Sequence, residues 1–248
     1  MSSRITPLRL EAFDQLPKHA RRCVFWEVDP STLGSGDHLA DPEFEKEAWL
    51  SMVMLEWGSC GQIAMACAPE PGQQDVAPSD LRGDSACLGY AFYAPPGAVP
   101  RARRFPTGPV SPDAVLLTSL GVDVSDDSGV LPRGLIAAVV GDLVRRGVRA
   151  LEAFGRTPGV LTLEPGAVPA DLLPVIEVLG DCSTEQCIID VDLLAESGFE
   201  VVSAHPYVPR LRLELEQGLG WKADVEAALE RLLESAQLQV PVGAAPCG

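Results

Sequence analysis

Residues 114–154 read AVLLTSLGVDV (114–124), SDDSGV (125–130), LPRGLIAAVVGDLVRRG (131–147) and VRALEAF (148–154). The first run is apolar and rich in β-formers, with Gly121 inside it. An acidic loop carrying Gly129 follows. Pro132 then suits a first helical position, where a missing N–H does no harm. Leu135, Ile136, Val139, Val140, Leu143 and Val144 fall on one face of a 3.6-residue period, so a helix is predicted. Arg145 and Arg146 complement its C-terminus and Gly147 ends it. A second strand begins at once. The stretch is a βαβ unit, and the loop feeding such a helix is a ready anion site.

The chain has 248 residues, long enough for one large domain or two small ones, with 46% hydrophobic and 22% charged residues. This is the composition of a soluble globular protein. No apolar run approaches the roughly 20 residues needed to span a bilayer. The first residues, MSSRITPLRLEAFDQL, lack the unbroken apolar run of a signal peptide. A cytoplasmic protein without a membrane partner is therefore expected. A formal net charge of −16 argues against nucleic acid, which needs a basic face. It suits a cationic partner such as an amine, or simply a solubilising surface.

Seven cysteines, at 23, 60, 67, 87, 182, 187 and 247, form no C-x-x-C, and only His19, His38 and His205 could join them. An odd count in a chain this large is not a disulfide scaffold. Cys60–Cys67 and Cys182–Cys187 are loosely spaced, a weak signal for zinc, so no metal is expected and most of the cysteines read as small buried hydrophobes.

Outward from the βαβ unit, residues 5–16 read as a strand running into a helix. Cys23, Val24, Phe25 and Trp26 make an apolar knot between Arg22 and Glu27. Residues 41–58 are helical, with Asp41 as N-cap, Gly58 as stop, and Trp49, Val53 and Trp57 on one face. GQIAMACAPE (61–70) and SACLGYAFYAPP (85–96) are an antiparallel strand pair. In the Pro-rich loop after them, Arg101, Arg103 and Arg104 form a basic cluster, either solvated or facing phosphate. Residues 170–180 suggest a short helix. Residues 187–199 give another, with Asp190 as N-cap and Gly198 as end. FEVVSAHPYVPRLRLELEQ (199–217) reads as strand, corner, strand, and 221–236 is a strong terminal helix.

The resulting order, β-α-α-β-β-β-α-β-α-β-β-α, resembles that of the GNAT superfamily of acyl-CoA-dependent N-acyltransferases. Four stretches carry the resemblance. Residues 114–147 are similar to the family's strand four, cofactor loop and helix three. VRALEAFG (148–155) is similar to strand five. DLLAESGFEVV (192–202) resembles the helix that runs through Gly-Phe into strand six. HPYVPRLRLELEQGLGW (205–221), with the 23–27 knot and FEKEAWL (44–50), resembles a group of bacterial GNAT-like proteins.

The resemblance implies a mixed α/β (α+β) fold in one domain, 1–248. Its mostly antiparallel sheet has a splayed parallel pair, helices on its flanks and a C-terminal helix. Residues 1–113 would form the acceptor side, 114–154 the cofactor-binding core and 155–248 the C-terminal part. It implies acetyl-CoA, or another acyl-CoA, as co-substrate, with a small-molecule or protein amine as acceptor. The pantetheine arm would pair with strand four at Leu120, Gly121 and Val122, next to a bulge for which Gly121 is the candidate. The pyrophosphate would meet Gly129, Val130, Leu131, Arg133 and Gly134. The family's loop has the form Arg/Gln-x-x-Gly-x-Gly/Ala; here those places hold Ser128, Leu131 and Arg133. Asp123, Asp126 and Asp127 add negative charge.

Acyl transfer needs a deprotonated amine and a proton for the departing thiolate. Glu152 on strand five is the candidate base or amine anchor. Tyr207, beside His205, is a candidate proton donor, and Glu27 a candidate anchor for a cationic acceptor. Tyr90 and Tyr93 could line the groove. The alternative on the same fold is a weak or inactive binding or regulatory protein. The terminal helix could pack on its own domain or against a second copy in a homodimer. A generic nucleotide-binding α/β protein is disfavoured, because neither G-x-G-x-x-G nor a P-loop is present.

Overall fold

A computed structural model of the chain describes residues 3–32, 39–66, 87–122, 129–164, 168–176 and 182–215. The predicted terminal helix at 221–236, Ser128 and the three loop aspartates lie outside the described residues. The strands are β1 (Ser3–Pro7), β2 (Gly61–Ala66), β3 (Cys87–Ala94), β4 (Ala114–Val122), β5 (Ala150–Arg156), β6 (Ile189–Asp190), β7 (Glu200–Ser203) and β8 (Arg210–Glu214). The helices are α1 (Lys18–Arg22), α2 (Pro42–Glu56), α3 (Val130–Arg145), α4 (Pro158–Leu161), α5 (Leu173–Ile176), α6 (Thr184–Cys187) and α7 (Val191–Glu196).

These strands form one mixed sheet in the order β1-β2-β3-β4-β5-β8-β7, with β6 added beside β5. All neighbours on that path are antiparallel except β4 and β5. This is the mixed, mostly antiparallel architecture expected from the sequence. A parallel pair needs a crossover, and α3 supplies it. One face of the sheet packs on α3 through Leu135, Val139 and Leu143 against Leu117, Leu151 and Leu211. The other carries Phe13, Trp26, Leu50, Phe92 and Phe154. There Trp26 stacks against both Phe105 and Phe154, at ring separations of 5.0 and 5.7 Å, and those two rings touch each other at 4.2 Å.

Local signals act as read at several places. The Asp41 side chain accepts from Phe44 N–H at the start of α2. Asp190 caps α7, and Gly198 ends it at φ 91°. α3 starts two residues earlier than predicted, so Pro132 sits in its third position rather than its first. Trp49 and Val53 are buried, while Trp57 is half-buried under the Arg146 guanidinium, 3.5 Å from its ring. The arginine cluster is neither one solvated loop nor a phosphate clamp. Arg101 is fully buried, 4.2 Å over the Phe25 ring, and Arg104 bonds Asp29 and Ser31. No helix among the described residues is long and apolar enough to cross a membrane.

Candidate functional site

Where β4 and β5 meet, three residues pair: Ala114 with Ala150, Val115 with Leu151, and Leu116 with Glu152. Beyond Leu116 the two strands separate. The cause lies on β4's other edge. Against β3, Phe92 is opposite Ser119 and Tyr93 is opposite Leu117, so Thr118 is the extra residue of a bulge. The Thr118 hydroxyl donates to Phe92 C=O at 3.0 Å, fixing the irregularity. The bulge expected at Gly121 is therefore three residues earlier. Gly121 answers a different need: Tyr90 lies across it, and an added Cβ would come within 2.5 Å of the ring.

Past the bulge, β4 ends in a cleft of about 580 Å³. Leu120, Gly121 and Val122 form one wall with Cys87 and Tyr90. The opposite wall comes from Gln15, Pro17 and His19 and from Glu185 and Gln186 on α6. This volume is in the ordinary range for a small-molecule site. Burial pushes the Tyr90 phenol well up from its usual value, so it stays protonated through the neutral range.

The freed edge of β5 does not stay open along its whole length. β8 holds one edge, reinforced by Gly155 N–H to Pro209 C=O and Thr157 N–H to Tyr207 C=O. β6 pairs through Gly155–Ile189 and Arg156–Asp190, so it must take the edge that β4 has left. The chain's own residues 189–190 thus close the far end of the splay.

The loop expected to meet the pyrophosphate is described from Gly129 onward. Gly129 precedes α3 in the left-handed region, φ 64°, where glycine is favoured. Pro132 offers no N–H, which thins the donor set at this helix end. Val130 is exposed. Arg133 forms an exposed ion pair with Glu196 on α7. Gly134 faces Ile5, with room for a Cβ only at 3.2 Å.

The three expected catalytic groups are not brought together, and none is among the residues lining this cleft. Glu152 is fully buried. It accepts from Ser111 N–H at 3.0 Å, Arg210 Nη1 at 2.7 Å and Arg212 Nη1 at 3.1 Å. Burial alone would raise its pKa, but these donors outweigh it and hold the carboxyl below its usual range. A carboxylate so held is a poor proton acceptor; its role is to tie β5, β8 and the 111 loop together. Glu27 does not lie on an open acceptor loop. Its carboxylate is buried against Lys46, and burial raises its pKa despite that partner. The Lys46 ammonium sits 4.5 Å from the Phe92 ring centre. Tyr207 lies at the corner between β7 and β8, its ring over Gly159 of α4. Beside it, His205 Nδ1 accepts the N–H groups of Tyr207 and Val208, and Nε2 lies 3.4 Å from Asp171. Tyr93 points to the opposite face, donating to Asp142 at 2.9 Å and accepting from Gln62 at 3.1 Å.

Behind the cleft lies a cluster of which the loose Cys182–Cys187 spacing was the only part legible along the chain. His19, Cys23, Cys182 and Cys187 converge, with the imidazole and thiol ligand atoms all within 4.8 Å of one another. The pairs are i, i+4 at the end of α1, with Cys23 as its C-cap, and C-x4-C around α6, about 160 residues apart in the chain. The C-x4-C spacing was the available signal; the first pair becomes visible only when α1 packs against α6.

Comparison with solved structures finds similar chain paths among N-acetyltransferases. PaiA N-acetyltransferase from Thermoplasma acidophilum, in complex with coenzyme A, is 11% identical with a TM-score of 0.41, over 86% of this chain and 99% of that one. An N-acetyltransferase from Staphylococcus aureus Mu50 is 11% identical with a TM-score of 0.43, over 87% and 99%. YhbS from Escherichia coli, a GNAT family N-acetyltransferase in complex with CoA, is 14% identical with a TM-score of 0.40, over 86% and 81%. No family model and no curated protein matches the chain.

Proposed function

We propose that the chain is an acyl-CoA-dependent N-acyltransferase that moves an acetyl or related acyl group to an amine. The observation that carries this reading is the parting of β4 from β5 after Leu116, with the cleft opening at Leu120–Val122. A strand edge released in this way can take the amide groups of an extended pantetheine arm as an added strand. Backbone N–H groups there can also support the oxyanion that forms when an amine attacks the thioester carbonyl. The carbon–sulfur bond then breaks, and the departing thiolate needs a proton. Among the cleft-lining groups, the Tyr90 hydroxyl is the suited donor, because it carries a proton at neutral pH and stands in the cleft wall beside Gly121. The Glu185 carboxylate is the suited acceptor for the amine's proton. The net charge of −16 favours a cationic acceptor.

A second reading, a protein that binds acyl-CoA without turning it over, is favoured by the placement of β6. Ile189 and Asp190 occupy the edge of β5 that β4 leaves, which narrows the splay. The two readings separate in one set of measurements. Incubation with acetyl-CoA or longer acyl-CoAs and a panel of amines should release free CoA thiol at a rate that depends on the amine. Calorimetric binding of acyl-CoA with no thiol release would favour the second reading, and neither binding nor release would sink both.

A further inference from the structure

We propose that His19, Cys23, Cys182 and Cys187 form a structural zinc site that fastens α1 to α6 behind the cleft. Three thiols and one imidazole from two distant segments meet with every ligand atom within 4.8 Å of the others, and Cys23 Sγ lies 3.4 Å from Cys187 Sγ. Tetrahedral zinc with bonds of about 2.3 Å to sulfur places its ligands about 3.8 Å apart, so sub-ångström adjustments seat the ion. Three soft sulfur donors select zinc over magnesium or calcium.

Each segment is prepared for this. His19 and Cys23 stand one helical turn apart, and Cys23 N–H donates to His19 C=O at 2.8 Å, closing α1. Ser183 caps α6 by accepting from Gln186 N–H, which sets the turn between Cys182 and Cys187. The Cys187 carbonyl accepts from Trp26 Nε1 at 2.9 Å, anchoring that ligand's backbone to the knot that follows Cys23. Outer contacts of this kind orient metal ligands. Cys23 and Cys187 are buried; His19 and Cys182 are half-buried and border a second hollow of about 390 Å³ with Arg22, Pro42 and Gln186. That hollow is the entry path for the ion.

Four protein ligands leave no open position, which is the mark of a structural rather than a catalytic zinc. The need for one is local. Residues 157–188 contain only the one-turn helices α4, α5 and α6 among their described parts, and a metal offsets what so little regular structure cannot supply. His19 and Gln186 also face the substrate cleft, so the ion would set the spacing of its outer wall.

The test is metal content of the full chain, prepared reduced in zinc-containing medium and gel-filtered. One zinc per chain is expected. Cobalt(II) should replace it and give the intense visible bands of a tetrahedral thiolate site with sulfur-to-cobalt charge transfer. His19→Ala and Cys182→Ser should each weaken zinc at least as much as the ~10–100-fold typical of outer-contact changes. Cys87→Ser should leave it unchanged. Circular dichroism of each variant separates loss of a ligand from loss of the fold, and the wild-type measurements stand without them. Zinc at trace level with no cobalt bands would overturn the proposal. So would a Cys23–Cys187 disulfide in peptide maps of the freshly isolated chain, or variants that hold zinc as the wild type does.

Discussion

The Tyr90 ring lies over the Cα of Gly121, so closely that a Cβ there would sit 2.5 Å from Cε1 and 2.6 Å from Cζ. Those atoms belong to a buried aromatic that also packs on Phe92, with ring centres 5.1 Å apart, and cannot swing aside freely. Gly121→Ala should cost about 1–3 kcal/mol by overpacking. Denaturant unfolding would measure it. In the background of Tyr90→Leu, which removes the ring, the same substitution should cost much less. Additive losses would mean that the two residues do not interact as described.

Glu152 predicts an acid-sensitive fold. Its carboxyl is held below the usual range by three donors, so its stabilising contribution is complete above the ordinary glutamate value near pH 4.5. It is lost as the pH falls below that value and through the depressed native one. Glu152→Gln should flatten this limb of the stability–pH curve. Glu152→Ala, which strands Arg210 and Arg212 beside a buried hole, should lose about 3–5 kcal/mol. If the chain turns over acyl-CoA, the pH dependence of kcat in Glu152→Gln should keep its wild-type midpoint. A lost acidic limb would instead return Glu152 to the role of general base.

What could be read along the chain is what local rules control. The period of α3, the caps Asp41 and Asp190 and the glycine stop at Gly198 are all decided within a few residues. The candidate site was legible only where it is made of consecutive backbone, at Leu120–Val122. Side-chain partnerships across the sheet were not. A carboxylate on strand five looks the same whether it faces a thioester or two arginines nearly 60 residues later. Arg101 looks solvated until Phe25 covers it. The bulge belongs to the register of β3 against β4, so Thr118 carries no mark of it, whereas a glycine in a strand suggests one. His19 and Cys182 became neighbours by the same long-range packing.

Lys46 and Glu27 are almost wholly buried, and each leaves the other costly if removed. Lys46→Met should destabilise by about 3–5 kcal/mol, because Glu27 is then buried without a counter-charge. Burial already raises the Glu27 pKa against the pull of Lys46. Without Lys46 the carboxyl should bind a proton in the native state and make stability fall as the pH rises. The double variant Glu27→Leu with Lys46→Met should recover most of the loss. Thermal unfolding of the wild type, Lys46→Met and the double variant across pH 5–8 checks both statements, and a double variant as unstable as Lys46→Met would refute the pairing as the cause.

Tyr90→Phe probes the proposed chemistry with the least structural cost. The phenol is buried, but the aromatic packing on Phe92 and over Gly121 survives loss of the hydroxyl. A proton donor to the departing thiolate acts in the transition state, so its loss should lower kcat and kcat/KM together, by about 100-fold, the lower end for general acid catalysis. The KM for acyl-CoA should barely change. Because the Tyr90 pKa is pushed far up by burial, the wild-type rate should not fall on the alkaline side from its ionisation below pH 10. If kcat holds in Tyr90→Phe while KM rises, the hydroxyl binds rather than protonates. The proton would then have to come from solvent or from the incoming ammonium through Glu185, and Glu185→Gln would be the variant that loses kcat.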